Sequence, residues 1–377
     1  MAVYLDNAAT TPVAPEVVDV MISTLRDTYG NPSSSHSFGR QTKALMETSR
    51  RSIAKHLNCQ PSELIFTSGG TEADNMALQS SISQLGVKHI ITSALEHHAV
   101  GHTANALNKL VKVSYVRVCE NGHVDLNHLE ELLQSDEKAL VSLMHANNEI
   151  GTKLDIKKVS AICRRNGAYF HSDTVQTMGH YRFDMQELDI DFLTCAAHKF
   201  HGPKGIGFLY VNKNVKVEPL IHGGAQERGF RGGTENTAGI VGLAKAMDLA
   251  HEDLEGHQKH VQGIKSYMIS QLKGLFNDIE FHGDTDPERS LYTVLNVCFP
   301  ANEKSSMLLF TLDLKGVAVS GGSACSSGAS TGSHVLKGIQ ADMTRPNARF
   351  SFSRYTTKEE IDFALEQVKA CYEKTLA

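Results

Sequence analysis

The sequence predicts an α/β protein with a large domain, built on a mainly parallel seven-stranded sheet flanked by helices, and a smaller C-terminal α/β domain. Short β-rich runs alternate with stretches of helical period from residue 64 to about 211, a pattern typical of βαβ units. Most of these runs are apolar at successive positions, as expected for strands covered on both faces. A chain of 377 residues also exceeds the size at which one core stops growing, so two domains are expected.

Seven strand-like runs account for the predicted sheet. They are LIFTS at 64–68, HIITSALEH at 89–97, VSYVRV at 113–118, ALVSLMHAN at 139–147, AYFHSD at 168–173, FLTCAA at 192–197 and IGFLYV at 206–211. Helical stretches separate the first five runs, at 71–85, 99–110, 126–134 and 155–167. Sheets of this kind bind ligands where strands end and loops begin, so the strand ends are where we expect a functional site.

A long helical stretch at about 237–274 is predicted to connect the sheet to the smaller domain. Beyond it, the β-rich runs YTVLNVCF, GVAVS and ARFSFS alternate with the helical runs KSSMLLFTLDL and TKEEIDFALEQVKACYEKTL. We place the boundary near residue 255, so that the large domain spans 15–255 and the small domain combines 1–14 with 256–377. A serine- and glycine-rich loop at about 319–333 carries Cys325 in the small domain.

Composition and charge exclude several classes of protein. The net charge is −5 and the Lys and Arg residues are spread along the chain, which argues against a nucleic-acid partner. No apolar run reaches the roughly 18 to 20 residues of a membrane span. The N-terminal segment lacks the basic and apolar regions of a secretory signal, so a cytoplasmic location is expected. Seven scattered cysteines without a Cys-x-x-Cys pair predict neither a disulfide framework nor a metal site.

Polar residues gather at the ends of the predicted strands. In TSGGTEADN, at 67–75, a strand and a glycine turn lead into a helix near Thr71, so free backbone N–H groups could face a phosphate, although the same turn is also an ordinary helix start. Asp173 ends one strand, and His198 and Lys199 follow the next; this carboxylate and lysine could simply form a salt bridge. His97 also follows a strand, where an imidazole can lie flat against an aromatic ring or be purely structural.

These residues together favour an aldehyde cofactor over a simple salt bridge. A lysine at a strand end can form a Schiff base with an aldehyde, and a neighbouring carboxylate can keep a pyridine nitrogen protonated, which makes the ring an electron sink. Three polar loops converge on one lysine in the predicted fold. The pattern therefore indicates a cofactor site at Lys199.

The order of the motifs resembles that of a known family. YLDNAATTP, TSGGTEADN, LEHHAV, MHANNEIG, HSDTVQ, HKFHGPKGIG, GGAQERGFRGGTEN and GGSACSSG are similar to motifs of NifS/IscS-like cysteine desulfurases, class V members of the fold-type I pyridoxal 5'-phosphate (PLP) enzymes, over essentially the whole chain. The resemblance implies that Lys199 carries PLP. It also implies a set of further cofactor contacts: His97 stacked on the ring, Asp173 on the pyridine nitrogen, Gln176 on the ring hydroxyl, Gly70 in the turn, Thr71 and His198 on the phosphate, and Thr234 on the phosphate of the other subunit of a homodimer.

The resemblance also assigns the chemistry. Asn148 and Arg349 would bind the substrate carboxylate, and Lys199 and His97 would transfer protons. Cys325 would be the nucleophile that attacks the sulfur of L-cysteine and leaves with it as a persulfide, and the glycines and small serines around it would let it move between cofactor and surface. The alternative is that Cys325 is a bystander in an ordinary loop. Relatives often have a serine where this chain has Ala196, which implies one phosphate hydrogen bond fewer, worth roughly 1 to 3 kcal/mol.

The sequence therefore predicts a homodimeric, PLP-dependent cysteine desulfurase that converts L-cysteine to L-alanine. Its persulfide would pass to a sulfur-acceptor protein, for iron–sulfur cluster assembly or for thiolation of a cofactor or of tRNA. Two alternatives stay open: a selenocysteine lyase on the same scaffold, and a sulfur-relay or scaffold protein that keeps PLP without turning over.

Overall fold

The computed structural model describes residues 2–301, 307–322 and 332–372, and its first half is built around the large sheet. The elements up to the last strand of that sheet are β1 (Val3–Tyr4), α1 (Pro15–Asp27), α2 (Ser37–His56), β2 (Leu64–Thr67), α3 (Gly70–Ser83), β3 (His89–Ser93), α4 (His98–Leu107), β4 (Lys112–Val116), α5 (Leu126–Leu132), β5 (Ala139–Ser142), α6 (Ile156–Arg165), β6 (Tyr169–Asp173), β7 (Phe192–Ala196) and β8 (Gly207–Val211). Short 3-10 turns lie at Pro61–Glu63, Ala197–Lys199 and Gln226–Gly229.

The remaining elements alternate helices with short strands. They are α7 (Thr237–Glu252), α8 (Leu254–Leu275), β9 (Glu280–His282), β10 (Val294–Cys298), α9 (Leu308–Leu314), β11 (Val317–Ala318), α10 (His334–Gly338), β12 (Asn347–Ser351) and α11 (Lys358–Tyr372). Strands β9, β10 and β12 form an antiparallel sheet in the order β12-β10-β9, and β11 pairs in parallel with β1.

The predicted seven-stranded, mainly parallel sheet is confirmed. Its order is β2-β8-β7-β6-β5-β3-β4, and all neighbouring strands are parallel except β8, which is antiparallel to both β2 and β7. The connection between β7 and β8, at 197–206, is shorter than the dozen or so residues that a parallel crossover needs. Strand β8 therefore returns directly beside β7 in the opposite direction.

Helices cover both faces of this sheet. Consecutive strand residues point to opposite faces: Ile90 packs with α3 and α4, whereas Ile91 packs in the core formed with α1, α2, α6 and α7. On β5, Leu140 likewise packs on the α3 and α4 side and Val141 on the opposite side. Burial on both faces explains why the predicted strands are apolar at successive positions rather than alternating.

A second core lies under the two smaller sheets. Residues near the N-terminus, including Val3 and Leu5, pack there with α8, β10, α9, β12 and α11. Helix α7 packs into the core of the large sheet and α8 into this second core; the domain boundary near residue 255 stays a prediction. In the described ranges, no helix combines the length and the apolar composition that crossing a membrane requires.

The predicted helical stretch at about 237–274 is interrupted at a single residue. Asp253 has φ −140° and ψ 57°, so the chain leaves the helical conformation between α7 and α8. The Asp253 carboxylate accepts a hydrogen bond from the backbone N–H of Gly256 at 3.2 Å. Aspartate stabilises a helix start in this way by satisfying a free backbone donor, and it therefore begins a new helix instead of continuing the old one.

Candidate active site

A pocket of about 240 Å³ lies where strands β3, β5, β6 and β7 end. Its walls include nine of the residues predicted from the sequence: Gly70, Thr71, His97, Asn148, Asp173, Gln176, His198, Lys199 and Arg349. Ala8, Ala9, Asp74, Met144, Val175 and Ala196 complete the lining. The carboxyl ends of parallel strands meet at one edge of a sheet, which is why residues far apart in the chain converge here.

Lys199 is held against the N-terminal segment. It ends the turn Ala197–Lys199 that follows β7, and its Nζ donates to the carbonyl oxygens of Ala8 at 2.6 Å and Ala9 at 2.9 Å. Gln176 Nε2 donates to the same Ala8 carbonyl at 3.0 Å. The N-terminal segment thus positions two polar side chains of the pocket, a contact that no sequence pattern indicated.

Asp173 ends β6 as a buried carboxyl group. Its Oδ1 accepts a hydrogen bond from the Val175 backbone N–H at 2.9 Å. Burial, and to a lesser degree the nearby Asp74 carboxyl, raise the pKa of Asp173 to about 6, while His97 opposes the rise. An uncompensated buried carboxylate is costly, and a protonated ring nitrogen placed in the pocket would compensate Asp173.

The first turn of α3 opens onto the pocket at Gly70. A Cβ atom at Gly70 would lie 2.7 Å from Cγ2 of Val175, so only glycine lets this helix start approach the neighbouring loop so closely. Thr71 is the next residue of the same turn and also lines the pocket. The backbone N–H groups of a helix N-terminus suit a phosphate, and this helix start on the pocket wall therefore fits the phosphate end of a cofactor.

His97 precedes α4 and keeps a defined tautomer. Its Nδ1 accepts a hydrogen bond from the Ala99 backbone N–H at 3.2 Å, so the proton of the neutral ring resides on Nε2. Burial lowers the pKa of His97 and Lys199 lowers it further, while Asp173 opposes the shift. The imidazole is therefore neutral at neutral pH, with an Nε2–H that can donate and an Nδ1 lone pair that the Ala99 N–H engages.

Arg349 brings a nearly enclosed guanidinium from β12 into the pocket wall, where it is 1% exposed. Its Nη1 donates to the Asn148 carbonyl oxygen at 2.8 Å, and its Nη2 donates to Asp6 Oδ1 at 2.7 Å. Its Nε has no hydrogen-bond partner among the described residues. A buried donor without a partner costs stability, and a bound carboxylate would satisfy it.

Asp74 was missed by the sequence analysis. It lies one helical turn after Thr71 on the same face of α3, which is the signal that could have revealed it. The side chain is buried, and its Oδ1 lies 3.3 Å from Nε2 of the equally buried His171. Burial raises its pKa to about 7, so Asp74 changes charge near neutral pH at the pocket wall.

One predicted residue is not brought into the pocket. Thr234 lines a separate surface cleft with Ser68, Arg231 and Asn236, where a contact to another subunit's cofactor stays a prediction. Cys325 lies outside the described residues. Within the described ranges, no group of three or more His, Cys, Asp or Glu side chains is arranged to hold a metal ion.

A lysine, a buried carboxyl group and a glycine-opened helix start, all at the carboxyl ends of a mainly parallel sheet, define the class of α/β enzymes that work with an aldehyde cofactor. Within that class, the chain belongs to the class-V aminotransferase family, whose family model matches residues 3–363. This family is PLP-dependent, and the observations at Asp173, Gly70 and Arg349 fit PLP with a bound amino acid.

Relatives and solved structures agree with this assignment over nearly the whole chain. The cysteine desulfurase IscS of Dictyoglomus turgidum is 43% identical over 99% of this chain and 95% of its own length. A solved NifS-like protein has a TM-score of 0.91 and 39% identity, covering 98% of this chain and 99% of that one. A structure of SspA in complex with cysteine has a TM-score of 0.80 and 31% identity, covering 94% and 100%.

Proposed function

We propose that this protein is a cysteine desulfurase, which takes sulfur from L-cysteine, releases L-alanine and leaves a persulfide on Cys325. The observation that carries the proposal is the unpartnered Nε of the buried Arg349 in the same pocket as Lys199. A guanidinium that lacks one partner recognises a carboxylate, and an amino acid brings its carboxylate and its amine together. The similarity to IscS selects L-cysteine among amino acids.

The residues of the pocket divide into those that hold the cofactor and those that hold the substrate. Bound PLP supplies an electron sink for negative charge at the substrate Cα. Lys199 would hold the aldehyde end, Asp173 the ring nitrogen, and the first turn of α3 with His198 the phosphate. Arg349 and Asn148 would bind the substrate carboxylate. The chain would thus position both the cofactor and the substrate before any bond forms or breaks.

Proton transfers fall to Lys199 and His97. Lys199 would carry the proton to and from the substrate Cα, and His97, whose pKa is lowered by burial, would exchange a proton with the substrate thiol. The Cys325 thiolate then attacks the substrate sulfur. A sulfur–sulfur bond forms, the carbon–sulfur bond breaks with its electron pair left on the substrate carbon, and that carbon takes a proton to give alanine.

The proposal extends to assembly and partners. We propose a homodimer in which Thr234 reaches the cofactor of the other subunit, since Thr234 lies in a surface cleft rather than in the pocket of its own chain. A sulfur-acceptor protein would take the persulfide sulfur, for iron–sulfur cluster assembly or for thiolation of a cofactor or tRNA, in the cytoplasm.

The role of Cys325 is tested by replacing it with serine. Cys325→Ser should bind PLP with an unchanged absorption spectrum, yet release alanine from L-cysteine at least about 100-fold more slowly, because a serine hydroxyl at its ordinary pKa is a poor nucleophile toward sulfur. Cys119→Ser is the matched control, since Cys119 is an exposed thiol outside the pocket, and it should keep wild-type turnover. Near wild-type alanine release by Cys325→Ser would remove Cys325 from the mechanism.

A further inference from the structure

A buried polar layer lies beneath the pocket, on the face of the large sheet that α3 covers. It consists of Ser142 of β5, His171 of β6 and Thr194 of β7, all fully buried, together with Asp74 of α3, which is 1% exposed. The layer faces α3, because a Cβ atom at Gly70 in the first turn of that helix would lie 3.5 Å from Cγ2 of Thr194. Four polar side chains are thus enclosed between one helix and three strands, where each needs a hydrogen-bond partner.

The hydrogen bonds of this layer run toward the Asp74 carboxyl group. Ser142 Oγ lies 2.9 Å from His171 Nδ1, and His171 Nε2 lies 3.1 Å from Thr194 Oγ1. The Thr194 hydroxyl in turn hydrogen-bonds the Asp74 carboxyl. Because an ionised carboxylate can only accept, the hydroxyl donates to it and accepts from the imidazole, which places the imidazole proton on Nε2. The layer therefore directs donors at the charged form of Asp74.

The imidazole of this layer does not itself supply a positive charge. Burial lowers the pKa of His171 to about 4, so the ring is neutral at neutral pH although its Nε2 lies 3.3 Å from Asp74 Oδ1. Burial also raises the pKa of Asp74 to about 7, and the hydrogen bond from Thr194 opposes that rise. The polar layer thus supports the charge of Asp74 without neutralising it.

The same layer adjoins Asp173, the carboxyl group that ends β6. Thr194 is the register partner of Asp173 on the neighbouring strand, and paired strands lie only about 4.8 Å apart. His171 precedes Asp173 by two residues on β6, so both side chains lie on one face of the sheet. Asp74 contacts both of these neighbours of Asp173, and both carboxyl groups line the pocket. Helix α3 therefore brings a second carboxyl group next to the one at the strand end.

Two buried carboxyl groups this close together repel each other, and the charge of Asp74 raises the pKa of Asp173. Such a pair is costly unless a positive charge lies beside it. The proposed function places the protonated ring nitrogen of PLP at Asp173. A cation at that position would be attracted by both carboxylates, because charges interact strongly where water is excluded.

We propose that Asp74 is a second carboxylate for the cofactor ring, which acts with Asp173 to hold the ring nitrogen in its protonated form. The polar layer of Ser142, His171 and Thr194 orients the Asp74 carboxyl group for this role. The inference rests on the proposed function for the position of the ring nitrogen, but it is tested by cofactor binding and needs no turnover.

The test compares the binding of PLP with that of 1-deaza-PLP, in which a C–H group replaces the ring nitrogen and which carries no positive charge there. Both are titrated into cofactor-free protein at about pH 8, above the pKa of Asp74, which is about 7. Asp74→Asn removes the charge and keeps the size of the side chain and an oxygen that accepts from Thr194. Its dissociation constant for PLP should rise about tenfold, while that for the analogue should stay within about twofold or fall.

Two further variants control the comparison. Asp191→Asn alters another buried carboxyl group, which accepts from the Phe170 backbone N–H at 2.8 Å just before β7, at the other end of the strand from the pocket; it should leave both dissociation constants unchanged. Thr194→Val keeps the Asp74 carboxyl group and removes the hydroxyl that supports its charge. It should lower the preference for PLP over the analogue, but by less than Asp74→Asn does.

The outcomes distinguish a role toward the ring nitrogen from a structural one. Equal weakening of both ligands in Asp74→Asn would overturn the inference, and so would an unchanged preference for PLP. If Asp74→Asn does not fold, the preference measured in Thr194→Val decides. A wild type that binds both ligands equally would overturn the inference together with the placement of the ring nitrogen. If the wild type binds PLP but releases no alanine from L-cysteine, the desulfurase function fails, and the two dissociation constants still decide the role of Asp74.

Discussion

At the scale of single residues, three buried carboxyl groups in and beside the pocket, those of Asp173, Asp74 and Glu96, have raised pKa values. Burial raises the pKa of Asp173 to about 6, of Asp74 to about 7 and of Glu96 to about 8. Asp173 and Asp74 also raise the pKa of Glu96 by repulsion. Burial therefore favours the protonated form of all three groups, and a cation bound beside Asp173 would favour its charged form.

Glu96 offers the clearest pH prediction. Its carboxyl is hydrogen-bonded to Ser93 Oγ and to the Met144 backbone N–H, and its pKa is about 8 against an ordinary 4.5. Because its pKa is higher in the folded than in the unfolded protein, the bound proton of Glu96 stabilises the fold. This contribution to the unfolding free energy is fully present below about pH 4.5 and is lost as the pH rises through about 8. Cofactor-free wild type should therefore lose stability relative to Glu96→Gln across that window, by up to about 1.4 kcal/mol per pH unit.

Urea unfolding of both proteins at about pH 5 and about pH 9 measures this difference, since the variant cancels the contributions of every other titrating group. A difference in unfolding free energy that is equal at the two pH values would mean that Glu96 does not titrate in this window.

At the scale of elements, one buried ion pair joins α2 and β2 to the turn Gln226–Gly229. Arg50 of α2 donates to both carboxylate oxygens of Glu227 at 2.8 and 2.7 Å, and Glu227 Oε2 also accepts from the Phe66 backbone N–H of β2 at 2.9 Å. Glu227 and Arg228 adopt positive φ angles of 44° and 59°. The pair thus holds a strained turn against the sheet, a few residues before Thr234.

Removing one partner of this pair should be strongly destabilising. Glu227→Ala leaves the Arg50 guanidinium buried without its main carboxylate, and we expect a loss of about 3 to 5 kcal/mol of unfolding free energy. Glu47→Ala is the matched control, because Glu47 contacts the same arginine at 3.2 Å but is 37% exposed; it should cost no more than about 1 kcal/mol. Urea unfolding measures both, and equal losses would refute the difference between buried and exposed pairing.

At the scale of the whole molecule, α1 leaves an apolar stripe uncovered. One side of α1 packs against α7, while Val18, Ile22 and Leu25, spaced by four and three residues, face outward. Leu25 is 67% exposed, and Tyr29 stacks on the equally uncovered Phe38 at 5.7 Å between ring centroids. Contiguous exposed apolar surface is typical of protein interfaces, which supports the proposed homodimer.

Charge placed on this stripe should weaken the dimer. Ile22→Glu combined with Leu25→Glu would bury two carboxylates in an apolar contact, and we expect light scattering at micromolar concentration to show a shift from dimer to monomer. Leu314→Glu is the control, because Leu314 of α9 is equally exposed, at 71%, in a different part of the molecule. A dimer that persists in the double variant would exclude α1 from the interface, and a monomeric wild type would exclude the homodimer.

The sequence alone determined the large sheet and the polar centre of the pocket. Six of the seven predicted runs contain one of its strands, and the run at 113–118 overlaps β4 (Lys112–Val116), because apolar runs separated by helical stretches are sufficient to define βαβ units. Asp173, His198 and Lys199 could be placed together for the same reason, since parallel strands bring their carboxyl ends to one edge.

The tertiary structure alone decided which distant residues complete that pocket. The carbonyl oxygens of Ala8 and Ala9 accept hydrogen bonds from Lys199, and Arg349 reaches the pocket from β12 of another sheet. These residues are far apart in the chain, so no local periodic pattern in the sequence indicates that they meet. Helices α1 and α2 were likewise not predicted, and neither was the buried state of Glu96 and Glu149. Burial of a charged side chain depends on what packs around it rather than on its neighbours in sequence, and it is this burial that sets the charges around the pocket.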